Sequence, residues 1–498
     1  MATKDLLNYV EGLYTDTSLL MIPENALYIQ DNCVTSYKLG AILKRPGYTK
    51  IGSALQANKS ILGLHNFRQS ASVQKMLATV NNSGDTATQL FYSTGGAWTS
   101  VGAAASAWTI AGANVEMEDF IGYCFFVGYN GTSFLPVGSL TGTTFSTSTN
   151  VTNMPQAKYI VRYRDRLYVA NCYITATAYP YRVYFSSIPS AGTISWTQAT
   201  DFFDVDYSEE IKGLATNWDR LLVFTEYSAY YYDQNSKFKV FDVGTSNHRT
   251  IKNFGQYMIW ADMNNVWAST GGQPQAVGGR VIDFIRNANM TNAFAEVVAG
   301  EYHLYLGSVT VNGITYSNCT LVFDIISGTW RVHEYYNTMT MFGKFYSSGQ
   351  DYLYMGTSLG TVMKLGKYTD ATLLVQDDVY PIHSWFQTGA LSFDSPKDEK
   401  QLDRLVVYTD RAQGLKFKMR IVDKNVMALS KFMPIGECKQ YINDMDLSGT
   451  KGNFIQIEAV ESGSNPYWSF LGMTAIYSIA KVVGGGGYSS PPQVQMIQ

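Results

Sequence analysis

The chain has 498 residues, of which 46% are hydrophobic, 14% aromatic and 15% charged. This length allows two to four domains with sizeable cores, and the composition excludes a disordered protein. The formal net charge of −3 argues against non-specific nucleic-acid binding as the main task, because neutralising phosphates requires clustered Lys and Arg. With 36 tyrosines and 43 glycines the balance favours strands and turns, so the sequence predicts an all-β protein.

The cysteines and the N-terminus indicate the compartment. No C-x-x-C pair is present and the number of cysteines is odd, which favours free thiols in strands over a zinc site or a disulfide framework. The five are Cys33, Cys124, Cys172, Cys319 and Cys438. The first residues lack a signal-peptide core, and no window approaches the roughly 20 apolar residues of a membrane span. We therefore expect synthesis in the cytoplasm and no membrane span.

Residues 1–55 form an N-terminal segment with no repeat. Residues 21–34 and 40–48 read as two extended pieces joined by a polar connection. Pro46-Gly47 suits the centre of a type II turn, because Pro fixes the first φ and Gly tolerates the positive second one. The pattern predicts a hairpin that docks on another domain.

Residues 56–378 contain a loose repeat of paired strands, spaced about 45 residues apart, which is the length of a four-stranded propeller blade. The centres of the units are Leu77, Phe125, Leu167, Leu222, Ile259, Tyr305 and Tyr354. The repeat predicts a β-propeller of six or seven blades, with an unrelated stack of sandwiches as the alternative.

The best-formed copy of this unit lies at residues 210–232. It reads as three strands, at residues 211–215, 221–225 and 229–232, with a polar turn between the first two. Its Asp219-Arg220 pair matches Asp165-Arg166 one unit earlier. We predict that the two pairs occupy equivalent positions in neighbouring blades.

Residues 281–298 interrupt the strand pattern. Val281, Phe284 and Ile285 have helical spacing, and after a polar gap Phe294, Val297 and Val298 repeat it. The spacing predicts a short helix across a blade edge, at a place where a partner subunit would touch.

Residues 379–480 have a different register, with apolar and polar residues alternating over five or more strands. This pattern predicts a β-sandwich domain. Residues 481–498 follow, with four consecutive glycines and two prolines, and are expected to be a flexible C-terminal tail.

Candidate chemistry is sparse. The acidic run at residues 201–210 could offer oxygen ligands to calcium, but it lacks the Gly and the spacing of a calcium loop and is interpreted as a solvated connection between blades. Each histidine stands without a metal-spaced partner and is interpreted as a strand histidine; they are His65, His248, His303, His333 and His383. No nucleophile elbow or Walker loop is present. We predict no catalytic, cofactor-binding or metal-binding residues, no cofactor and no enzyme activity.

Short patterns spread over nearly the whole chain resemble one family. They lie at residues 22–28, 31–33, 40–48, 165–170, 184–186, 211–214, 219–226, 244–246, 322–324, 329–330 and 354–362. In these patterns the chain resembles bacteriophage tail nozzle or hub proteins, the family that includes tail tubular protein B and packaged-DNA stabilisation proteins.

The resemblance implies a structural virion protein in the tail. Typically six copies form a ring below the portal and adaptor proteins, which continues and closes the DNA channel and takes part in genome retention and ejection. Tail fibres or tailspikes are the further partners, and genomic DNA passes without sequence-specific binding. The β-sandwich would be the platform where ring neighbours meet. The weak net charge agrees with a channel in which DNA must slide.

Two other classes remain open. A receptor-binding or carbohydrate-binding tail protein would also be aromatic and β-rich, and would be trimeric. A glycan hydrolase on a propeller scaffold would require clustered carboxylates, for which Asp204 and Asp206 are the residues to replace.

Overall fold

The computed structural model describes residues 1–35, 37–38, 40–101, 108–234, 236–347, 349–393, 398–410, 415–422, 432–438, 441–461 and 467–479. Strands dominate these residues, which confirms the all-β prediction; the one α-helix among them, α1, spans Ile282–Asn287. The predicted tail, residues 481–498, lies outside the described part of the chain.

The N-terminal segment supplies strands to both of the other domains. They are β1 (Ala2–Leu7), β2 (Leu27–Asp31), β3 (Cys33–Val34), β4 (Ile42–Lys44) and β5 (Tyr48–Lys50), with a 3-10 turn at Leu19–Met21. Strands β1, β3 and β4 join one sheet of the C-terminal domain, β2 joins the other sheet, and β5 joins the propeller. The segment therefore connects the two domains as well as preceding them.

The propeller consists of antiparallel four-stranded blades. Blade 1 contains β6 (Ile61–Arg68), β7 (Gln74–Asn81), β8 (Thr88–Ser93) and β9 (Thr99–Ser100). Blade 2 contains β10 (Asn114–Phe120), β11 (Tyr123–Tyr129), β12 (Gly138–Thr141) and β13 (Thr144–Ser146). Blade 3 contains β14 (Gln156–Tyr163), β15 (Arg166–Ile174), β16 (Thr177–Phe185) and β17 (Phe202–Asp204). Blade 4 contains β18 (Gly213–Asn217), β19 (Arg220–Phe224), β20 (Ala229–Tyr232) and β21 (Lys237–Phe241).

The remaining blades include the closure of the ring. Blade 5 contains β22 (Lys252–Phe254), β23 (Tyr257–Ala261), β24 (Val266–Ser269) and β25 (Gln275–Ala276), after a 3-10 turn at His248–Thr250. Blade 6 contains β26 (Phe294–Val298), β27 (Glu301–Val311), β28 (Ile314–Asp324) and β29 (Thr329–Glu334). Blade 7 contains β30 (Met339–Ser347), β31 (Gln350–Thr357) and β32 (Val362–Leu365), and β5 completes it by pairing with β32. A strand of the N-terminal segment thus completes the last blade of the propeller.

Seven separate apolar clusters among the described residues fill the interfaces between successive blades, including the interface of blade 7 with blade 1. Strand β19 shows how one strand serves two interfaces. Leu221 and Val223 pack towards blade 3, whereas Leu222 and Phe224 pack towards blade 5. Because both faces of a blade are buried, the middle strands are continuous apolar runs. Seven interfaces in a closed ring give seven blades, one of the two predicted numbers.

The two Asp-Arg pairs lie at equivalent positions. In blade 3, Tyr163 pairs with Arg166 around a two-residue turn, and in blade 4, Asn217 pairs with Arg220 around a turn of the same length. Both turns join the first strand of a blade to the second, one blade apart, as predicted.

The helix predicted at residues 281–298 is only partly correct. A 3-10 turn at Gly279–Val281 leads into α1, and a second 3-10 turn lies at Met290–Asn292, but Phe294–Val298 is β26, the inner strand of blade 6. The error arose because both faces of β26 carry buried apolar side chains. Phe294 and Val298 pack towards blade 7, whereas Val297 packs towards blade 5. A strand buried on both faces shows no period of two that would distinguish it from a helix.

The C-terminal domain is a β-sandwich, as predicted. After β33 (Gln376–Asp377) and β34 (Tyr380–Pro381), which extend the sheet of blade 7, its strands are β35 (Trp385–Thr388), β36 (Lys400–Asp410), β37 (Leu415–Val422), β38 (Met433–Cys438), β39 (Ile442–Gly452), β40 (Phe454–Glu461) and β41 (Ser469–Ile479). One sheet has the order β2-β35-β40-β37-β38 and continues into blade 6 through β29, and the other has the order β3-β4-β41-β36-β39, with β1 paired to β41. Apolar side chains such as Leu405, Phe417 and Trp468 fill the space between them.

Candidate functional site: the axial cavity of the propeller

The inner strands of the blades surround a cavity of ≈ 380 Å³, here called the axial cavity. It lies between β6, β10, β14, β18, β22, β26 and β30, where side chains from distant parts of the chain meet. Its charged lining consists of Glu116, Glu118, Arg249, Lys252, Glu296 and Lys344. Both signs of charge are present, so the cavity is polar and not strongly basic.

Arg249 crosses one end of the axial cavity. It belongs to the 3-10 turn before blade 5, yet its Nε donates to Glu116 Oε1 at 2.9 Å and its Nη1 to Asn114 Oδ1 at 3.2 Å, both in blade 2. Its Nη2 donates to the Leu62 carbonyl of blade 1 at 3.1 Å. Burial would raise the pKa of Glu116, but the Arg249 charge outweighs it and the pKa is lowered. Arg249 therefore connects opposite sides of the ring and obstructs the axis.

Glu118 lies two residues along β10 from Glu116 and also lines the cavity. Burial raises the pKa of Glu118 to about 7, an effect that the neighbouring His65 partly offsets. Lys344 of blade 7 lines the same cavity. The two glutamates thus have different environments, because Arg249 binds only Glu116.

A group of possible metal ligands adjoins the cavity between blades 1 and 2. His65 Nε2 lies 2.8 Å from Asp119 Oδ1, and the ligand atoms of His65, Asp119 and Cys124 all lie within 4.8 Å of one another. Burial acts to lower the pKa of His65, but Asp119 outweighs it and the pKa is raised. No sequence pattern indicates this group, because its members come from three strands of two blades.

A second cavity, of ≈ 350 Å³, lies where blades 6 and 7 meet the N-terminal segment. Arg331 forms an ion pair with Glu301, and its Nε donates to His333 Nε2 at 3.3 Å. Burial would raise the pKa of Glu301, but Arg331 and His303 hold it at about 2. Burial and the Arg331 charge lower the pKa of His333 well below its usual value.

The sequence suggested that each histidine stands alone, but four of the five share a cavity with another histidine. His65 and His248 both line the axial cavity. The rings of His303 and His333 lie 6.3 Å apart, and both line the second cavity. His65, His303 and His333 do lie in strands, as interpreted, whereas His248 lies in a 3-10 turn.

The acidic run at residues 201–210 does not converge on a cation. Arg182 binds the Asp204 carboxylate with two hydrogen bonds, of 2.5 and 2.8 Å, and Asp206 accepts from the Ser208 amide at 2.9 Å. Glu210 lies between Lys158 and Lys212, at 2.7 and 2.8 Å. Residues 202–204 are the outer strand of blade 3, so the interpretation as a connection between blades holds only for residues 205–210. All five cysteines are free and buried, as expected.

The sequence signal that was missed is the acidic alternation within β10. Glu116 and Glu118 lie on one face of a strand that lines the axial cavity. A solvent-exposed strand could have the same alternation, so the sequence alone does not distinguish the two. Arg249 had no signal, because it lies in a connection between repeats.

No helix among the described residues combines the length and the apolar character needed to cross a membrane. No family model and no curated protein matches the sequence. Among solved structures, the chain is similar to the AfRom2 CNH domain, at 8% sequence identity and a TM-score of 0.38, over 65% of this chain and 100% of that chain. The propeller assignment therefore rests on the strand pairing and the blade interfaces described above.

Proposed function

We propose that the chain is a structural subunit of a bacteriophage tail nozzle or hub ring, which continues and closes the DNA channel below the portal and adaptor. The proposal begins from the short sequence patterns in which the chain resembles that family. The structural observation that carries it is the outer end of the β-sandwich, where Tyr441 and Ile442 are 68% and 57% exposed. Exposed apolar side chains beside an unpaired strand edge are typical of a surface that meets another protein.

The strand order supports this assignment of the surface. Strand β38 ends its sheet, and among the described residues no strand pairs with its outer edge. Pro434 lies within it, which is typical of an edge strand because Pro cannot donate to a ladder. A neighbouring copy could therefore meet the sandwich at β38 and the start of β39.

The axial cavity supports a lumen that lies between copies. Arg249 obstructs the axis of the propeller through contacts with blades 1 and 2. A DNA channel through the centre of one propeller would require these contacts to break. In a ring of several copies the lumen is formed by the outer surfaces of the subunits, and each propeller serves as a rigid block.

The hydrolase alternative gains no support from the acidic residues. Asp204 and Asp206 are bound by Arg182 and by the Ser208 amide. Glu116 and Glu118 both line the axial cavity, but the Glu116 carboxylate already accepts a hydrogen bond from Arg249. The receptor-binding alternative predicts a trimer, which the following experiment distinguishes.

The test is native mass spectrometry and negative-stain imaging of the purified chain, alone and with its portal and adaptor. We expect a ring, of about six copies, for the natural chain. Ile442→Asp should prevent ring formation while circular dichroism and melting temperature stay unchanged. Ile326→Asp is the matched control, because Ile326 is 84% exposed in a turn of blade 6 and should leave the ring intact. A chain that stays monomeric beside portal and adaptor, or forms a trimer, would contradict the proposal.

A further inference from the structure

We propose that His65, Asp119 and Cys124 form a binding site for one divalent transition-metal ion of the zinc type, between blades 1 and 2. The site goes beyond the proposed function and does not depend on it. It also departs from the expectation that the chain has no metal-binding residue.

The fold brings the three side chains to one face of one interface. Asp119 and Cys124 are cross-strand partners on β10 and β11, so their side chains point to the same side of blade 2. That side faces blade 1, because Cys124 packs in the apolar cluster shared with Phe67 and Leu77. His65 approaches from β6 of blade 1. One ligand from blade 1 and two from blade 2 would make the ion a bridge between blades.

The distances suit a tetrahedral ion. Zinc binds nitrogen and oxygen at about 2.0–2.1 Å and sulfur at about 2.3 Å, which places ligand atoms roughly 3.3–3.6 Å apart. The three atoms lie within 4.8 Å of one another, and His65 Nε2 lies 2.8 Å from Asp119 Oδ1. An ion between them requires the imidazole and the carboxylate to separate by about half an ångström, which rotations of the two side chains can provide.

The carboxylate is already oriented for this role. The Arg68 backbone N–H donates to Asp119 Oδ2 at 2.7 Å, which leaves Oδ1 directed at His65. Hydrogen bonds to the second oxygen of a ligating carboxylate are typical of metal sites, because they fix the ligand.

The donor set selects the class of ion. An imidazole, a thiolate and a single carboxylate favour zinc or a similar soft-to-borderline ion, whereas calcium and magnesium require oxygen ligands. On binding, the Cys124 thiol releases its proton to solvent, and neutral His65 ligates through Nε2 with its ring hydrogen on Nδ1, so that any second ring proton also passes to solvent. The side chains of His65 and Asp119 are 23% and 24% exposed, so a water molecule can reach the fourth position.

The test uses the full chain, stripped of metal with a chelator and titrated with Co²⁺ as a spectroscopic probe for zinc. We expect a thiolate-to-cobalt charge-transfer band that saturates at one equivalent, disappears on addition of Zn²⁺ and is not produced by Mg²⁺. Both Co²⁺ and Zn²⁺ should raise the melting temperature. A natural chain that gives no such band overturns the proposal.

Variants assign the ligands. Cys124→Ser should abolish the band, whereas Cys172→Ser, which alters a buried strand cysteine of blade 3, should leave it unchanged. His65→Gln changes a partly exposed side chain, so it tests the site even if Cys124→Ser fails to fold, and it should weaken Co²⁺ binding at least tenfold. An unchanged band in a folded Cys124→Ser chain, or unchanged affinity in His65→Gln, would overturn the assignment.

Discussion

Arg45 and Asp377 form a bidentate ion pair in the interior, with Nη2 2.6 Å from Oδ2 and Nη1 2.8 Å from Oδ1. Both side chains are at most 2% exposed. The preceding residue, Lys44, forms an equally buried ion pair with Glu461 of the sandwich, at 2.6 Å. Two consecutive residues therefore fix the N-terminal segment to the propeller side and to the sandwich. Burial would lower the pKa of Arg45, but Asp377 outweighs it and the pKa is raised.

Removing one partner of this pair should destabilise the chain strongly. Arg45→Met leaves the Asp377 carboxylate buried without its counter-charge, and we expect a loss of about 3–5 kcal/mol in the free energy of unfolding. Urea unfolding followed by tryptophan fluorescence measures it. The double variant Arg45→Met, Asp377→Leu should recover part of the loss, because no charge is then left unpaired.

The control for this measurement is Lys239→Met, which removes an exposed partner of Asp242 and should leave unfolding unchanged. A single variant as stable as the natural chain, or a double variant less stable than Arg45→Met, would contradict this account of the pair.

Local turns could be predicted from the sequence, whereas the ion pair of Arg45 with Asp377 could not. The Asp-Arg pairs at residues 165–166 and 219–220 were placed correctly, because two-residue turns between apolar runs depend on neighbouring residues. Their environment even produced an unpredicted contact, the ion pair of Arg164 with Asp219 at 2.8 Å between adjacent blades. Arg45 and Asp377 are 332 residues apart, and no local pattern relates them.

Gly360 should be far less tolerant of substitution than Gly313. Both have left-handed φ angles, +76° and +77°, in turns between strands. A Cβ on Gly360 would lie 1.9 Å from the Gln56 carbonyl oxygen, whereas a Cβ on Gly313 would have no atom within 4 Å. We expect Gly313→Ala to cost about 1–2 kcal/mol from backbone strain alone. Gly360→Ala should cost roughly a further 1–3 kcal/mol from the clash.

The comparison of these two glycines also tests the closure of blade 7. The Leu55 amide donates to the Gly360 carbonyl at 2.8 Å, so displacing the chain there disturbs the segment that follows β5. Thermal unfolding of the two variants side by side measures the difference. Equal melting temperatures would show that this contact is loose.

Acid should lower the free energy of unfolding through Glu301, which lines the second cavity. Its pKa is about 2 in the folded chain against about 4.5 in the unfolded chain, so its stabilisation is complete above pH about 4.5 and is lost as pH falls towards 2. The shift corresponds to on the order of 3 kcal/mol. His333, with its lowered pKa, acts in the same direction, because its charged form is disfavoured in the folded chain.

The measurement is the free energy of unfolding of the natural chain and of Glu301→Gln between pH 6 and pH 2. The difference between them should be largest at pH 6 and should shrink as pH falls. Asp242→Asn, at an exposed position, is the control and should follow the natural chain throughout. A difference that stays constant down to pH 2 would contradict the role of the Glu301 charge.

The core pattern was readable in the sequence and the axial cavity was not, for a physical reason. Strands buried on two faces have continuous apolar runs, such as residues 221–224, and these runs predicted the blades. The same burial made Phe294–Val298 resemble the spacing of a helix, so that this strand was predicted wrongly. The polar lining of the axis comes from several blades, and only closure of the ring brings Glu116 and Arg249 together.

Arg249 should hold the ring closed across its axis. Arg249→Met removes hydrogen bonds to Glu116, Asn114 and the Leu62 carbonyl. It also leaves the partly buried Glu116 carboxylate without its arginine partner. Hydrogen bonds to charged groups contribute about 1.5–3 kcal/mol, so we expect a loss of about 2–3 kcal/mol in the free energy of unfolding. Arg249→Lys should recover only a small part, because an ammonium cannot reach blades 1 and 2 with the same fork of donors.

Hydrogen exchange localises the effect: amides of β6 and β10 should exchange faster in Arg249→Met, while those of β36 and β41 in the sandwich should not change. Unaltered exchange in β6 and β10 would mean that the blade interfaces alone keep the propeller closed.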